Sequence, residues 1–204
     1  MKLPDSTYEE IKMEVTYLFE ELDIRCIPIS GFEILQKMGI KLIPYSSFQK
    51  QKREILLKKF PDAFFTDFIG EEAIVYNDEI SYPRLNMTLL HEIGHIVLGH
   101  TNEMNEDKQE AEAKFFAKYA LAPPPLVHLL KPNSPMEIME LFQISYEAAQ
   151  IAYTNYLKWR KKKHQEMKLT PYEKALFKRF KEPYHEAVIA RDRARYLSAV
   201  ADFS

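Results

Sequence analysis

Cysteine, glycine and long apolar runs are what this sequence has least of. One cysteine, Cys26, stands among 204 residues, so neither a disulfide framework nor a cysteine-rich metal site is available. That cysteine usage, and charges and Pro4 where a secretory leader would be apolar, point to the cytoplasm. Five glycines are too few for a phosphate-cradling loop beside a turn-rich β fold. Gly94 to Thr101 has the glycine spacing of a P-loop, but His100 stands where the phosphate-binding lysine belongs. No uninterrupted apolar run approaches the ~18–20 residues a membrane-spanning helix needs. Excess positive charge is missing too: the net charge is -2, whereas a dedicated nucleic-acid binder is usually basic. What remains is an ordinary globular composition, 46% hydrophobic and 28% charged, in a chain long enough to bury a core without staples.

Periodicity and punctuation divide the chain. Ser6 with Glu9 reads as a capping box opening a first helix, whose apolar stripe runs through Tyr8, Ile11, Val15, Leu18, Phe19 and Leu22. Ser30 with Glu33 reads as a second helix start, and Gly39 as its stop. Ile40 to Tyr45 reads as a strand, Phe48 to Phe60 as a lysine-rich helix. Ala63 to Asp67 and Ala73 to Tyr76 read as two strands, with Gly70-Glu71 near the turn between them. From Tyr82 onward the pattern is helical: about Arg84 to Leu98, then Asn105 to Leu121, ended by Pro123-Pro124-Pro125. Beyond a connector at Pro132 to Pro135 come a short helix and a longer one capped by Ser145. Thr170-Pro171-Tyr172-Glu173 opens another, and Pro183 precedes a last helical stretch. The layout is α+β, with a small antiparallel or mixed sheet in the first half and a mostly helical second half.

His91-Glu92-Ile93-Gly94-His95 matches H-E-x-x-H. Positions four apart on a helix differ by about 40° around the axis, so both imidazoles can reach one metal ion, while the glutamate between them can touch a water. Thr88, His91, Glu92 and His95 fall within a sector of about 100°, and the remaining positions from Thr88 to Leu98 are Leu, Ile, Val or Gly. A helix apolar everywhere but one stripe is a buried helix, and two histidines with a carboxylate are costly to bury unpaired.

A catalytic zinc takes three protein ligands and leaves one position open. His100 lies about 180° from His91 if the helix continues, which assigns it a surface or helix-end role. Glu110 is the better third ligand. Its helix carries Ala113, Ala117 and Ala120 near the Glu110 side, and Gly94 removes bulk from the facing helix, so two helices can approach closely. The competing reading makes Glu110 one of several exposed acids before a helix.

The segment His91 to His100, followed by Glu110, Ala113, Phe116-Ala117 and Leu121-Ala122-Pro123, resembles the ImmA/IrrE metallopeptidases. The likeness extends to Ile74-Val75-Tyr76-Asn77, to Arg84 and Thr88, and to Pro28 through Ile40, over residues 8 to 160. It implies a zincin-like, gluzincin-type fold in which His91, His95 and Glu110 hold zinc and Glu92 is the catalytic acid/base. It further implies an endopeptidase that cleaves helix-turn-helix repressors of mobile elements or stress regulons by glutamate-assisted attack of zinc-bound water. Lys114 departs from the asparagine usual in the family and sets a cation one turn from Glu110; Met87 replaces an aromatic.

Tyr76, Tyr82, Tyr119 and His128 are candidate oxyanion donors among which the sequence does not choose. If Ala73 to Tyr76 is a sheet edge over the cleft, an extended substrate could add to it as a strand. Three regions are expected: 1–130 as the metallopeptidase domain, 131–164 as a helix-turn-helix-like segment and 165–204 as a helical extension that closes the core, forms a dimer contact or docks a partner. The second helix of the middle region opens with Tyr146-Glu147-Ala148-Ala149-Gln150, acidic and small, so direct DNA reading is not expected. Arg160 to Lys163 reads as a solvated helix end favoured by the macrodipole. The alternative to a peptidase is a DNA- or protein-binding regulator with a structural or degenerate metal site. Oligomeric state is not fixed by the sequence.

Overall fold

The computed structural model describes residues 1–67, 71–101 and 105–180; Gly70 and the stretch expected after Pro183 lie outside them. In chain order the elements are α1 (Asp5–Glu21), α2 (Gly31–Lys37), β1 (Lys41–Pro44), a short 3-10 turn (Tyr45–Ser47), α3 (Lys50–Lys59), β2 (Ala63–Thr66), β3 (Ala73–Tyr76), α4 (Tyr82–Val97), α5 (Glu106–Leu121), α6 (Pro124–Leu130), α7 (Pro135–Phe142) and α8 (Tyr146–Glu166). A further helical stretch covers 171–180. The fold is α+β, mostly helical, with one three-stranded mixed sheet among the described residues.

Strand order is β1-β3-β2, with β1 parallel and β2 antiparallel to β3. Ala73 to Tyr76 is therefore the central strand and not an edge. Its Ala73, Ile74 and Val75 are all buried, as befits a strand with neighbours on both sides. The edge strand whose neighbour is α4 is β2.

Alpha4 forms the centre of the molecule. Leu85, Leu89, Leu90 and Ile93 turn into the core, and Asn86, fully buried, ties the helix to the α2 loop: its Oδ1 accepts from Gly31 N at 2.7 Å and its Nδ2 donates to Ile29 O at 2.9 Å. Opposite lies α5, with Ala113, Phe116, Ala117 and Ala120 fully buried. A Cβ built on Gly94 would sit 3.1 Å from Phe116 Cβ and 3.2 Å from Ala113 Cα. The small residues thus let the α4 and α5 backbones approach, as their pattern predicts. Gly94→Ala is expected to force the helices apart by a few tenths of an ångström and cost about 1–3 kcal/mol, read as a lowered Tm in thermal denaturation.

Several local expectations are met. Ser30 and Ser145 accept from the Glu33 and Ala148 backbone N–H groups. Thr170 and Glu173 form a reciprocal capping box: Thr170 N donates to Glu173 Oε2 at 2.7 Å and Glu173 N to Thr170 Oγ1 at 3.4 Å. The Ser6–Glu9 box does not form. Alpha1 starts at Asp5 after Pro4, with no side-chain cap, and Glu9 instead receives Lys12 Nζ at 2.6 Å and the Tyr172 hydroxyl at 2.8 Å. The three prolines do end α5, but Pro124 and Pro125 also open α6, since the first turn of a helix lacks backbone acceptors for its N–H groups and tolerates proline.

The basic run is not uniformly solvated. Lys163 pairs with Glu173 at 2.9 Å, and Trp159 Nε1 donates to the same carboxylate at 2.6 Å. These bonds and the buried Leu176 and Phe180 bring residues 171–180 into the core. Arg179 reaches Asp23 at 2.8 Å, so the stretch runs along α1.

Candidate metal centre

Alpha4 presents His91, Glu92 and His95 on its polar stripe, and close pairing with α5 brings Glu110 to them. His91 Nε2 and His95 Nε2 are 3.1 Å apart. Glu110 Oε1 lies 3.2 Å from His95 Nε2, and its Oε2 lies 3.6 Å from His91 Nε2. One donor atom from each residue falls within 4.8 Å of the others. Nitrogen and oxygen ligands ~2.0–2.1 Å from a tetrahedral zinc sit roughly 3.3 Å from each other, so the donor set fits one ion. Thr88 does not join it: its hydroxyl donates to Arg84 O within α4 at 3.1 Å.

The electrostatics suit a cation. Burial pushes the His95 imidazole down to about 4, and lowers His91 as well, so both rings are neutral at pH 7 and keep a lone pair each. Burial alone would raise Glu110, but His91, Lys114 and His95 outweigh it and hold the carboxyl below its usual range. With neutral imidazoles, the standing cation is Lys114, whose Nζ is 3.3 Å from Glu110 Oε2. Lys114 is 60% exposed and can swing into solvent. Lys114→Asn is expected to tighten metal binding by about two- to fivefold at low salt, the range of an exposed ion pair, with the gain fading as salt rises in a titration.

Glu92 occupies the drier part of the site. Burial pushes its carboxyl up to about 7; the Phe65 backbone N–H opposes this, and the Glu110 charge adds to it. That contact brings the β2 backbone to the Glu92 carboxyl.

His100 lies elsewhere than the continued helix would put it. Alpha4 ends at Val97, and Gly99 adopts φ +63. Gly99 N donates to Ile96 O at 3.1 Å and His100 N to His95 O at 3.0 Å, the paired bonds of a Schellman motif. That turn folds His100 back over His95. The His100 side chain is 4% exposed; its Nδ1 is 2.9 Å from His95 Nδ1 and its Nε2 is 3.2 Å from Glu112 Oε2. The sequence carries the signal for this as a glycine at the helix stop followed directly by histidine.

Two of the candidate oxyanion donors lie away from these groups. Tyr119 is buried with Tyr172, Glu173 and Glu9 as its charged or ionisable neighbours. His128 sits among Tyr156, Trp159 and Phe177. Tyr76 and Tyr82 flank the Phe32 ring. A cavity of about 880 Å³ is lined by α1, α5 and α8 through Tyr8, Phe115, Ile151 and Trp159, and none of His91, His95 and Glu110 lines it. Among the described residues no helix is long and apolar enough to cross a membrane.

Comparison with curated proteins finds no match. Residues 36–154 match the IrrE N-terminal-like domain of peptidase family M78, a stretch that contains the sheet, α4, α5 and the whole His91–His95–Glu110 cluster. With more than half of its length inside that match, the chain belongs to the IrrE N-terminal-like family of metallopeptidases.

Proposed function

We propose that the chain is a zinc-dependent endopeptidase whose protein substrate is a helix-turn-helix repressor of a mobile element or stress regulon. The observation that carries the catalytic part is the meeting of three ligand atoms within 4.8 Å beside a carboxyl held near neutrality. His91, His95 and Glu110 would hold the ion. When bound, zinc supplies Lewis acidity that polarises the scissile carbonyl and acidifies water. Glu92 complements that chemistry. A carboxyl pushed up to about 7 is basic enough to take a proton from the attacking water and acidic enough to return it to the leaving amine. Two neutral imidazoles and one carboxylate leave the loaded site with a net positive charge that favours a developing oxyanion.

Since β3 is the central strand, we assign the substrate-receiving role to the edge strand β2. An extended peptide would add along the outer edge of β2, with the Phe65 N–H that meets Glu92 marking its register against the reacting groups. The helix-turn-helix-like segment is not assigned to direct DNA reading. The first turn of α8 carries Glu147, and its Ala149 and Ala152 are committed to the core. The compartment proposed is the cytoplasm, where the exposed thiol of Cys26 stays reduced.

The test is co-expression with such a repressor, followed by intact-mass analysis and treatment with a chelator. The expected result is one truncated repressor, absent after metal removal and restored by added zinc. Cleavage that continues undiminished in the chelated protein would overturn the assignment.

A further inference from the structure

We infer that Glu112 and His100 form a hydrogen-bonded buttress that fixes the ring and the tautomer of His95, leaving His95 Nε2 free as a ligand atom. The inference rests on the reading of His91, His95 and Glu110 as metal ligands and goes beyond it to two positioning residues.

With both imidazoles neutral, the protons along this chain of atoms have one consistent arrangement. The Glu112 carboxylate can only accept, so it draws the His100 proton to Nε2, 3.2 Å away. His100 Nδ1 is then a lone pair. It faces His95 Nδ1 at 2.9 Å, and two lone pairs at that distance would repel. His95 must therefore carry its proton on Nδ1 and donate it to His100. Its Nε2, 3.1 Å from His91 Nε2 and 3.2 Å from Glu110 Oε1, is left with the lone pair that a metal requires. One carboxylate thus sets two tautomers in series. Outer partners of this kind orient a ligating imidazole and typically change metal affinity about 10- to 100-fold when removed.

The backbone supports the same conclusion. The Schellman turn bonds His100 N to His95 O at 3.0 Å, so the two residues are tied through main chain and side chain at once. Glu112 comes from α5, two residues after Glu110. The α4–α5 pair therefore contributes both a ligand and a brace, and Glu112 is only 13% exposed. His91 makes no comparable bond from its Nδ1 among the described residues, so the brace acts on one of the two imidazoles.

The experiment measures zinc dissociation constants of the full-length protein by competition with a chromophoric chelator, with circular dichroism and Tm as the check on folding. His100→Ala and Glu112→Ala are expected to weaken zinc about 10- to 100-fold. His100→Asn, whose amide oxygen can accept from His95 Nδ1, is expected to recover most of that loss. Long-range proton–nitrogen NMR of the zinc-loaded wild type should place the His95 proton on Nδ1 and the His100 proton on Nε2. Folded His100→Ala and Glu112→Ala proteins that bind zinc within twofold of wild type would overturn the buttress, as would a His100 proton found on Nδ1. If His100→Ala fails to fold, Glu112→Ala and the tautomer spectrum decide. A wild-type chain that binds no zinc at all would instead overturn the metal reading of the site.

Discussion

Glu92→Gln is expected to bind zinc as the wild-type chain does and to lose peptide cleavage by about 10²–10⁴-fold, the range of a general base removed. Glu92 is not one of the three clustered residues, so its amide isostere should leave the donor set intact while removing the proposed proton transfer. The same substitution has a signature on stability. The Glu92 carboxyl titrates at about 7 in the folded, metal-free protein and near 4.5 when free, so the folded state binds a proton that the unfolded state releases. Wild-type stability therefore rises as pH falls from 7 towards 4.5, and above 7 the buried charge costs on the order of 3 kcal/mol. Metal-free Glu92→Gln lacks that charge. It should unfold at higher denaturant than wild type at pH 8, with the gap closing towards pH 4.5. Equal activity of the two proteins, or a stability gap that widens on acidification, contradicts the assigned role.

Glu110→Ala is expected to weaken zinc by more than about 100-fold, beyond what loss of an outer partner causes, and to abolish cleavage with it. On the proposed reading Glu110 would supply the one anionic ligand, and without it two neutral imidazoles would remain. Because the side chain is 40% exposed, its removal should leave the metal-free Tm close to wild type. That separates loss of a ligand from loss of structure. Isothermal titration of Glu110→Ala with zinc gives the answer directly; binding within a few-fold of wild type is incompatible with Glu110 as third ligand.

The parts of this molecule that are readable from sequence are those governed by neighbours in the chain. Ser30, Ser145 and the Thr170–Glu173 box can be placed because a cap bonds within three residues. The stripe of α4 can be placed because a helix repeats every 3.6 residues. The meeting of α4 with Glu110 is readable from Gly94 and the alanines of α5, a rare case of composition reporting a distance between elements. The rest is decided by partners far away or by geometry past a helix end. Glu9 abandons its box for Tyr172, 163 residues distant. Lys163 leaves solvent for Glu173. The central place of β3 depends on pairings with β1 and β2 that no local pattern encodes. His100 departs from the helical wheel because the glycine before it reverses the chain.

Alpha1 and residues 171–180 lie outside the family match at 36–154, yet Ile11, Val15, Phe19, Leu176 and Phe180 are among the most deeply enclosed side chains. The boundary of family likeness therefore cuts through the interior of the protein and not along a seam. A fragment trimmed to 36–154 would shed the apolar cover that its own Phe116, Ala117 and Ala120 pack beneath, and would emerge sticky and poorly folded. Evolutionary unit and folding unit differ in this chain, and the clustered imidazoles and carboxylates depend on flanks that carry none of their chemistry.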